Sequence, residues 1–162
     1  MAIETRVRDV FLADVLKKAR QLSAKGFSPE FGELGRFFRQ RIRDGFVQEV
    51  DPYGNPWPAL ARSTVRDKVR RGVANPQGIL KDSGALANSF EYRVTVNGVR
   101  VFSNRVFDDG VDANIHQTGG IHPVGRNNIP QRMMVPDADD LPPDWADEIE
   151  RQIGNGIDRL FS

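Results

Sequence analysis

The sequence predicts an α+β fold in which helices pack on one face of a small, mainly antiparallel sheet. One observation is a hairpin pattern over residues 90–103, where apolar and polar side chains alternate. The other is that segments with apolar residues at helical spacing lie before and after this hairpin. Such segregation is typical of a helix layer on an antiparallel sheet. Because 162 residues is the length of about one domain, we predict a single domain over residues 1–162.

The hairpin is predicted to pair residues 90–96 with residues 99–103. Between them stands Asn97-Gly98, the preferred pair for a type I′ turn, in which both central residues need positive φ. A two-residue loop at this point places Val96 opposite Val99 and directs the apolar side chains of both strands to one face.

Two further segments are expected to join the same sheet. Residues 3–7 alternate between apolar and charged or polar side chains, which predicts an N-terminal strand. Residues 129–135 favour another strand or extended segment. A sheet of this size has exposed edges, which are templates for pairing with another chain.

Three longer helices are predicted from apolar stripes. They cover residues 9–22, residues 28–46 and residues 144–161. The second is expected to begin with a serine cap and a first-turn proline at Ser28-Pro29, and the last with Asp144 as its cap. The stripes consist of Phe11, Leu12, Val15, Leu16, Ala19 and Leu22 in the first helix, of Phe31, Leu34, Phe38, Ile42 and Phe46 in the second, and of Trp145, Ile149, Ile153, Ile157 and Leu160 in the last.

The remaining segments are predicted to be loops and short helices. Residues 51–58 hold three prolines and a glycine, which forbid regular structure, so Tyr53 and Trp57 are expected to anchor a fixed loop. Residues 104–128 are rich in glycine, asparagine and aspartate and are predicted to form a long exposed loop that ends in a short strand.

Two short helices are expected between these loops. The first is capped by Ser63 or Thr64 and runs through a basic cluster to Gly72. The second opens at Asp82-Ser83-Gly84 and points Leu86 inward.

Composition excludes several classes of protein. The chain has no cysteine, which excludes a disulfide scaffold, a thiolate zinc site and a cysteine nucleophile. Its apolar runs are only a few residues long, so we expect no membrane span, signal peptide or membrane partner. With 23 Lys and Arg against 22 Asp and Glu, the net charge of +1 argues against a dedicated nucleic-acid-binding protein.

The balanced charge is unevenly distributed along the chain. Residues 62–71 carry five basic side chains and one acidic one, whereas residues 137–150 carry seven acidic side chains and no basic one. Opposite poles on one chain suggest self-association. The candidate inter-subunit patches are Arg62, Arg66 and Arg70 on the basic side and Asp137, Asp139 and Asp140 on the acidic side.

The sequence also contains candidate catalytic and metal-binding groups. His116 and His122 stand six residues apart and could share a metal with one of Asp108, Asp109 and Asp112, but this spacing matches no helical or strand ligand pair. We therefore expect no metal, no cofactor and no enzyme activity. A small hydrolase that uses His116 and an aspartate is the weaker alternative.

Two other features of the sequence could indicate a chemical function, a serine followed by glycine and a row of arginines. Ser83 lacks the flanking pattern of a nucleophile elbow. Arg62, Arg66 and Arg70 would share one helix face and could contact phosphates, so a nucleic-acid-binding module is the second alternative.

Four segments then occur in a recognisable order. They are Asp51–Leu60 followed by Ser63, Thr64 and Lys68; Gly78–Leu86; Ile115–Gly120; and Ile129–Arg132. Together, over roughly residues 28–135, they resemble the phage virion morphogenesis proteins of Mu-like phages, a family that includes tail completion proteins of other contractile-tailed phages. Met133-Met134 stands where the family more often has an aromatic residue, and methionine adapts to gaps of that size.

The resemblance implies a structural virion protein without catalysis, with an α+β fold like those of neck and tail-terminator proteins. It implies a homo-oligomeric ring, expected to be a hexamer, at the neck or head-proximal tail end. The expected neighbours are the tail tube, the head-tail adaptor or the portal, with DNA only passing through the lumen. Such a protein is made in the host bacterial cytoplasm and ends in the virion.

The resemblance also indicates which residues carry the family motifs and serve assembly. They are Trp57, Leu60, Thr64, Lys68, Leu80, Ser83, Gly84, Leu86, His116, Gln117, Gly119, Gly120, Pro130 and Arg132. The loop over residues 104–128 is a candidate docking arm for a neighbouring virion protein, by its length and glycine content.

Overall fold

The structure is a computed structural model that describes residues 26–95, 97–103, 105, 114–122, 127–137 and 139–162. The predicted N-terminal strand and the predicted helix over residues 9–22 lie outside the described residues. Among the described residues no helix is both long and apolar enough to cross a membrane.

Five helices and four strands make up the described part of the chain, which confirms the predicted α+β class. The helices are α1 (Ser28–Gln48), α2 (Arg62–Arg70), α3 (Ala85–Asn88), α4 (Asn114–Thr118) and α5 (Pro143–Phe161). The strands are β1 (Phe90–Thr95), β2 (Gly98–Ser103), β3 (Gly120–Ile121) and β4 (Asn128–Ile129).

The start of α1 differs from the predicted serine cap. Phe27 is the cap residue, and its carbonyl accepts a hydrogen bond from the Phe31 amide at 2.8 Å. The Phe27 ring stacks on that of Phe31, with centroids 5.9 Å apart. Ring packing thus fixes the entry of the chain, and Ser28 is already helical. The α2 and α5 helices also begin without a side-chain cap, at Ala61 and Pro142.

The C-terminal helix α5 packs on α1 through a face that coincides only in part with its predicted apolar stripe. Trp145 is buried and stacks on Phe38, with centroids 5.0 Å apart. Two and three turns later Gln152 and Gly156 are buried, whereas Ile153 is 40% exposed. The bare Gly156 backbone lets the Phe27 ring approach closely, so the helix turns its small residue inward and part of the predicted stripe outward.

Ion pairs near both ends of α5 hold the helix to α1. Glu30, which is buried, pairs with Arg159 at 2.9 Å, and Arg41 pairs with Asp144 at 2.6 Å. The hydrogen bond from Arg159 lowers the pKa of the Glu30 carboxyl.

The hairpin is confirmed, but its register is not the predicted one. Val94 lies opposite Val99, and the last pair before the turn is Thr95 with Gly98, so Gly98 belongs to β2. Each residue of β1 is therefore paired with a residue of β2 two positions away from its predicted partner. A shift of two keeps every apolar side chain on the same face, so the alternation of the sequence fits both registers equally.

Helix α1 lies across the hairpin and completes the core. Tyr92 of β1 occupies the space that a side chain at the buried Gly35 would need, and the Phe90 and Phe46 rings lie 6.0 Å apart. The buried apolar residues are Leu34, Ile42, Phe46, Trp57, Ile79, Leu86, Phe90, Met134 and Trp145.

The segment at residues 129–135 does not extend the hairpin sheet. Only Asn128–Ile129 is a strand, and it pairs antiparallel with Gly120–Ile121 in a second two-stranded sheet. The single predicted sheet is therefore wrong for the described residues. The physical reason is that side chains and a helix carbonyl take up the backbone groups of residues 132–135, as described below.

Candidate functional site

The predicted motif residues converge on one cleft with a volume of about 1190 Å³. Helix α2, the segment before α3, helix α4 and the segment after β4 form its walls. Ten of the fourteen predicted residues line it, namely Leu60, Thr64, Lys68, Leu80, Ser83, Gly84, Leu86, His116, Pro130 and Arg132. The other four, Trp57, Gln117, Gly119 and Gly120, do not line it.

Arg132 joins two motifs that are far apart in the sequence. Its guanidinium donates to the Pro58 carbonyl from Nε at 3.1 Å and from Nη2 at 3.0 Å, and to the Ala59 carbonyl at 3.3 Å. The residue is 4% exposed, and burial lowers the pKa of the guanidinium from its usual value. Arg132 therefore acts as an internal clamp on the proline-rich loop.

The segment that follows Arg132 is held by two other motif side chains. Gln117 Oε1 accepts hydrogen bonds from the amides of Met134 at 2.8 Å and Val135 at 3.1 Å, and its Nε2 donates to the Val135 carbonyl at 2.6 Å. Trp57 Nε1 donates to the Met133 carbonyl at 2.9 Å. These bonds replace strand pairing, because a side-chain amide offers a donor and an acceptor as a neighbouring strand does.

Gly119 permits the close approach of the same segment. Its φ is +69°, and a Cβ there would stand 2.9 Å from the Gln131 amide nitrogen. One residue on from this contact, the Arg132 amide donates to the His116 carbonyl at 2.6 Å. A larger residue at position 119 would both adopt a strained backbone and separate these segments.

Helix α4 corrects the prediction of a loop for residues 114–118, whereas β3 and β4 agree with a loop that ends in a short strand. The Ile115-His116-Gln117 sequence is helical and packs on the 132–135 segment. Gly120, two residues after the helix, pairs with Ile129 at the start of β3. The rest of the predicted loop, apart from Arg105, His122, Asn127 and Asn128, lies outside the described residues.

On the opposite wall, Lys68 fixes the second motif to α2. Its Nζ donates to the Gly78 carbonyl at 2.7 Å and to the Lys81 carbonyl at 3.3 Å. The residue is 5% exposed, and burial is the largest cause that lowers the pKa of its ammonium group. The ammonium group thus binds backbone carbonyls of the segment that forms this wall of the cleft.

Glu49, which the sequence patterns did not indicate, also binds the Gly78–Leu86 motif. Glu49 ends α1 with a left-handed backbone, and its Oε1 accepts from the Ile79 amide at 3.2 Å and pairs with Lys81 Nζ at 2.9 Å. Lys81 also donates to the Val47 carbonyl at 2.9 Å. No periodic pattern marks such a residue, because its role depends on where α1 stops relative to a loop thirty positions later.

The proline-rich loop contains a second missed residue, Asp51. Its Oδ1 accepts from the amides of Tyr53 at 2.9 Å and Asn55 at 2.8 Å, which forms a turn that any aspartate before a loop can make. Tyr53 Oη donates to the Asp140 carbonyl at 2.6 Å. The predicted anchoring by Tyr53 and Trp57 is confirmed by these bonds.

Both predicted charge patches are exposed: the basic patch on α2 and the acidic patch on the segment that precedes α5. Arg62, Arg66 and Arg70 are exposed and lie outside the cleft, whereas Thr64 and Lys68 of the same helix face into it. Arg70 forms an ion pair with Asp67 one turn earlier. The acidic residues Asp137, Asp139 and Asp140 are exposed at the approach to α5.

Among the groups that line the cleft, His116 has the most strongly shifted pKa. Burial, followed by the charge of Arg132 and then His122, lowers the pKa of its imidazole to about 4. The ring is therefore neutral at physiological pH. Ser83, at the same cleft, accepts a hydrogen bond from the Ala85 amide at 3.3 Å. Among the described residues no group of three His, Asp or Glu could hold a metal ion; the three aspartates considered above lie outside them.

We expect His116 to make the fold less stable in acid. Its folded pKa of about 4 lies below the ordinary value of 6.5, so the unfolded chain binds a proton first and stability falls as pH drops from 6.5 to 4. The ring is partly exposed, which reduces the effect to about 1–2 kcal/mol. Urea unfolding of the wild type and of His116→Gln at about pH 7 and about pH 4 measures it. A stability difference between the two proteins that does not change with pH would contradict this assignment.

The geometry defines a small α+β protein whose four sequence motifs hold the walls of one cleft together. The sequence model of the phage virion morphogenesis family matches residues 7–155, so the chain belongs to that family. Its members have a structural role in virion assembly, and the chain is accordingly a virion component. Neither the curated proteins nor the solved structures contain a match.

Proposed function

We propose that this protein is a ring-forming subunit of the phage neck or head-proximal tail end, acting in tail completion, tail termination or head-tail joining. Its neighbours are further copies of itself and the tail tube, adaptor or portal, and DNA passes through the lumen of a ring that we expect to be hexameric. The observation that carries the proposal is that hydrogen bonds link the four family motifs around one cleft: Lys68 to Gly78, Arg132 to Pro58, and the Arg132 amide to the His116 carbonyl.

A rigid cleft supports an assembly role because docking costs less when the surface is already ordered. Lys68 and Arg132 donate to backbone carbonyls, and Ser83 accepts from a backbone amide. The hydrogen bonds of these motif side chains thus hold the backbone of the cleft walls in place. A closed ring also needs two different patches on each subunit. The face of α2 that points away from the cleft carries the basic patch, and the segment that precedes α5 carries the acidic patch.

The test is the native mass of the purified protein, alone and with isolated tails, measured by light scattering and negative-stain imaging. We expect ring-sized oligomers, or extra density at the head-proximal end of the tail. A strict monomer that associates with neither tails nor portals would contradict the proposal. In that case DNA binding with a steep salt dependence would indicate the nucleic-acid-binding alternative.

We propose that the two charged patches orient neighbouring subunits. Arg62 and Arg66 are the better pair to reverse, because Arg70 already pairs with Asp67. Arg62→Glu with Arg66→Glu is expected to slow or abolish ring formation without changing stability, since exposed pairs contribute only about 0–1 kcal/mol each. Assembly is measured by light scattering.

The control for this experiment is Arg100→Glu, which reverses an exposed charge on β2 away from both patches. Adding Asp139→Lys and Asp140→Lys to the reversed protein should restore assembly if the patches meet directly. Assembly at the wild-type rate by the Arg62→Glu, Arg66→Glu protein would refute this arrangement.

A further inference from the structure

The cleft between the motifs carries more positive than negative charge. Four basic side chains and two carboxylates line it, namely Lys68, Arg71, Arg105, Arg132, Asp67 and Asp82. Both carboxylates form ion pairs with Arg71. Within the described part of the chain, no carboxylate forms an ion pair with any of the other three cations. The cleft therefore presents an excess of positive charge to whatever enters it.

Arg105 differs from the other two unpaired cations of the cleft. Lys68 and Arg132 donate to backbone carbonyls, whereas the Nε atom of Arg105 is buried and donates to no described residue. A buried donor without a partner costs free energy, which a bound acceptor would recover. Walls of low dielectric also strengthen the field of the charges between them. The cleft is thus suited to an anionic group that reaches Arg105.

The same chain presents such a group on its surface. Asp137, Asp139 and Asp140 are exposed, and the Asp140 amide donates to the Asp137 carbonyl at 3.3 Å, which closes a turn. We call these three residues the acidic turn. None of their carboxylates forms an ion pair with a described residue.

The acidic turn lies outside the cleft of its own subunit. Tyr53 Oη holds the Asp140 carbonyl at 2.6 Å, and neither Tyr53 nor the acidic turn lines the cleft. Pockets of about 300–1,000 Å³ enclose drug-sized ligands. The cleft, with a volume of about 1190 Å³, therefore has room for such a turn from another molecule.

We propose that the acidic turn of one subunit binds in the cleft of the next subunit, where its carboxylates pair with Arg105. This inference rests on the ring proposed above and names the contact between its subunits. Cleft and turn are different patches of one chain, so the contact is heterologous and can repeat around a ring. Arg62 and Arg66 lie outside the cleft, and they attract the turn through space rather than by direct contact.

Reversal of the charge at Arg105 tests this contact. Arg105→Glu should slow ring assembly by roughly tenfold or more in light scattering, because it places a carboxylate opposite the acidic turn. Adding Asp139→Lys and Asp140→Lys to this variant should recover at least part of the rate. The matched control is Arg100→Glu, which reverses an exposed arginine on β2 and should assemble as the wild type does. Assembly of Arg105→Glu at the wild-type rate would overturn the proposal.

The same two lysines distinguish the cleft from the basic patch. If the acidic turn paired directly with Arg62 and Arg66, Asp139→Lys with Asp140→Lys would restore assembly to the Arg62→Glu, Arg66→Glu protein. Such a restoration would overturn binding in the cleft. We expect no restoration, because the introduced lysines would face the cations of the cleft.

Introduced cysteines test the contact without reversing a charge, because the chain has none of its own. Ser63→Cys, at the exposed edge of the cleft, and Asp139→Cys are made in separate full-length proteins, which are assembled together and treated with a short bis-maleimide. We expect a covalent pair that contains one chain of each kind, identified by its mass. The matched control replaces Ser63→Cys by Asn155→Cys, which is exposed on α5 outside the cleft and should not cross-link.

The native mass of the wild type separates the failure of this contact from the failure of the ring. Rings in which Ser63→Cys does not cross-link, or cross-links no better than Asn155→Cys, would overturn the cleft contact alone. A wild type that stays strictly monomeric would contradict the ring and, with it, this contact.

Discussion

Replacing Arg132 by alanine is expected to lower the free energy of unfolding by about 3 kcal/mol. The side chain is buried and makes three hydrogen bonds to the carbonyls of Pro58 and Ala59. A hydrogen bond to a charged group contributes about 1.5–3 kcal/mol, and the bonds of one side chain are not additive. The loss also removes the packing of the arginine stem. The midpoint of urea unfolding measures the change.

Two comparisons separate the clamp from a general loss of charge. Arg132→Lys should recover only part of the stability, because an ammonium cannot reproduce the planar fork that reaches two carbonyls. Arg62→Ala removes an exposed arginine and should change stability by less than about 0.5 kcal/mol. Equal stability of Arg132→Ala and Arg62→Ala would show that the clamp does not hold the loop.

A second large effect is expected at Gly35, where α1 crosses the hairpin. A Cβ at this position would stand 2.2 Å from Cδ2 of Tyr92 and 2.5 Å from Cγ, so the whole ring would have to move. Overpacking of a core costs about 1–3 kcal/mol, against a gain of about 1 kcal/mol in helix propensity. Because the clash is with a whole ring, the cost lies in the upper half of this range, and we expect Gly35→Ala to be destabilised by about 1–2 kcal/mol in thermal or urea unfolding.

The same helix supplies the matched control. Gly32 stands three residues earlier in α1, and a Cβ there would meet nothing within 4 Å. Gly32→Ala should therefore stabilise the protein by about 0.5–1 kcal/mol. In a Tyr92→Val background the penalty at Gly35 should disappear, which a double-mutant cycle measures as a coupling energy. A stabilising Gly35→Ala in the wild-type background would contradict the packing described here.

The two positions differ in how far the sequence alone reveals their importance. Arg132 belongs to a motif recognised from the sequence, and the structure assigns it to a bond network that also includes Trp57 and Gln117. Gly35 belongs to no motif and is invisible to pattern analysis. Its importance comes from Tyr92, which reaches it from a strand more than fifty residues later.

The hairpin separates local from tertiary information in a similar way. Alternation and turn residues were sufficient to predict two antiparallel strands, because both signals act over a few residues. They could not select between registers that differ by two residues and present identical faces. The structure pairs Val94 with Val99 in a hairpin whose first strand also packs Tyr92 against α1.

By itself the sequence determined the α+β class, the extent of α1 and α5, the hairpin and the membership of a virion assembly family. These follow from periodicity, turn residues and motif order, all of which are written along the chain. Only the tertiary structure decided which face of α5 is buried, how residues 132–135 are bonded and that the motifs meet at one cleft. Those features depend on groups far apart in sequence: the Phe27 ring on Gly156, and the Gln117 amide in place of a neighbouring strand.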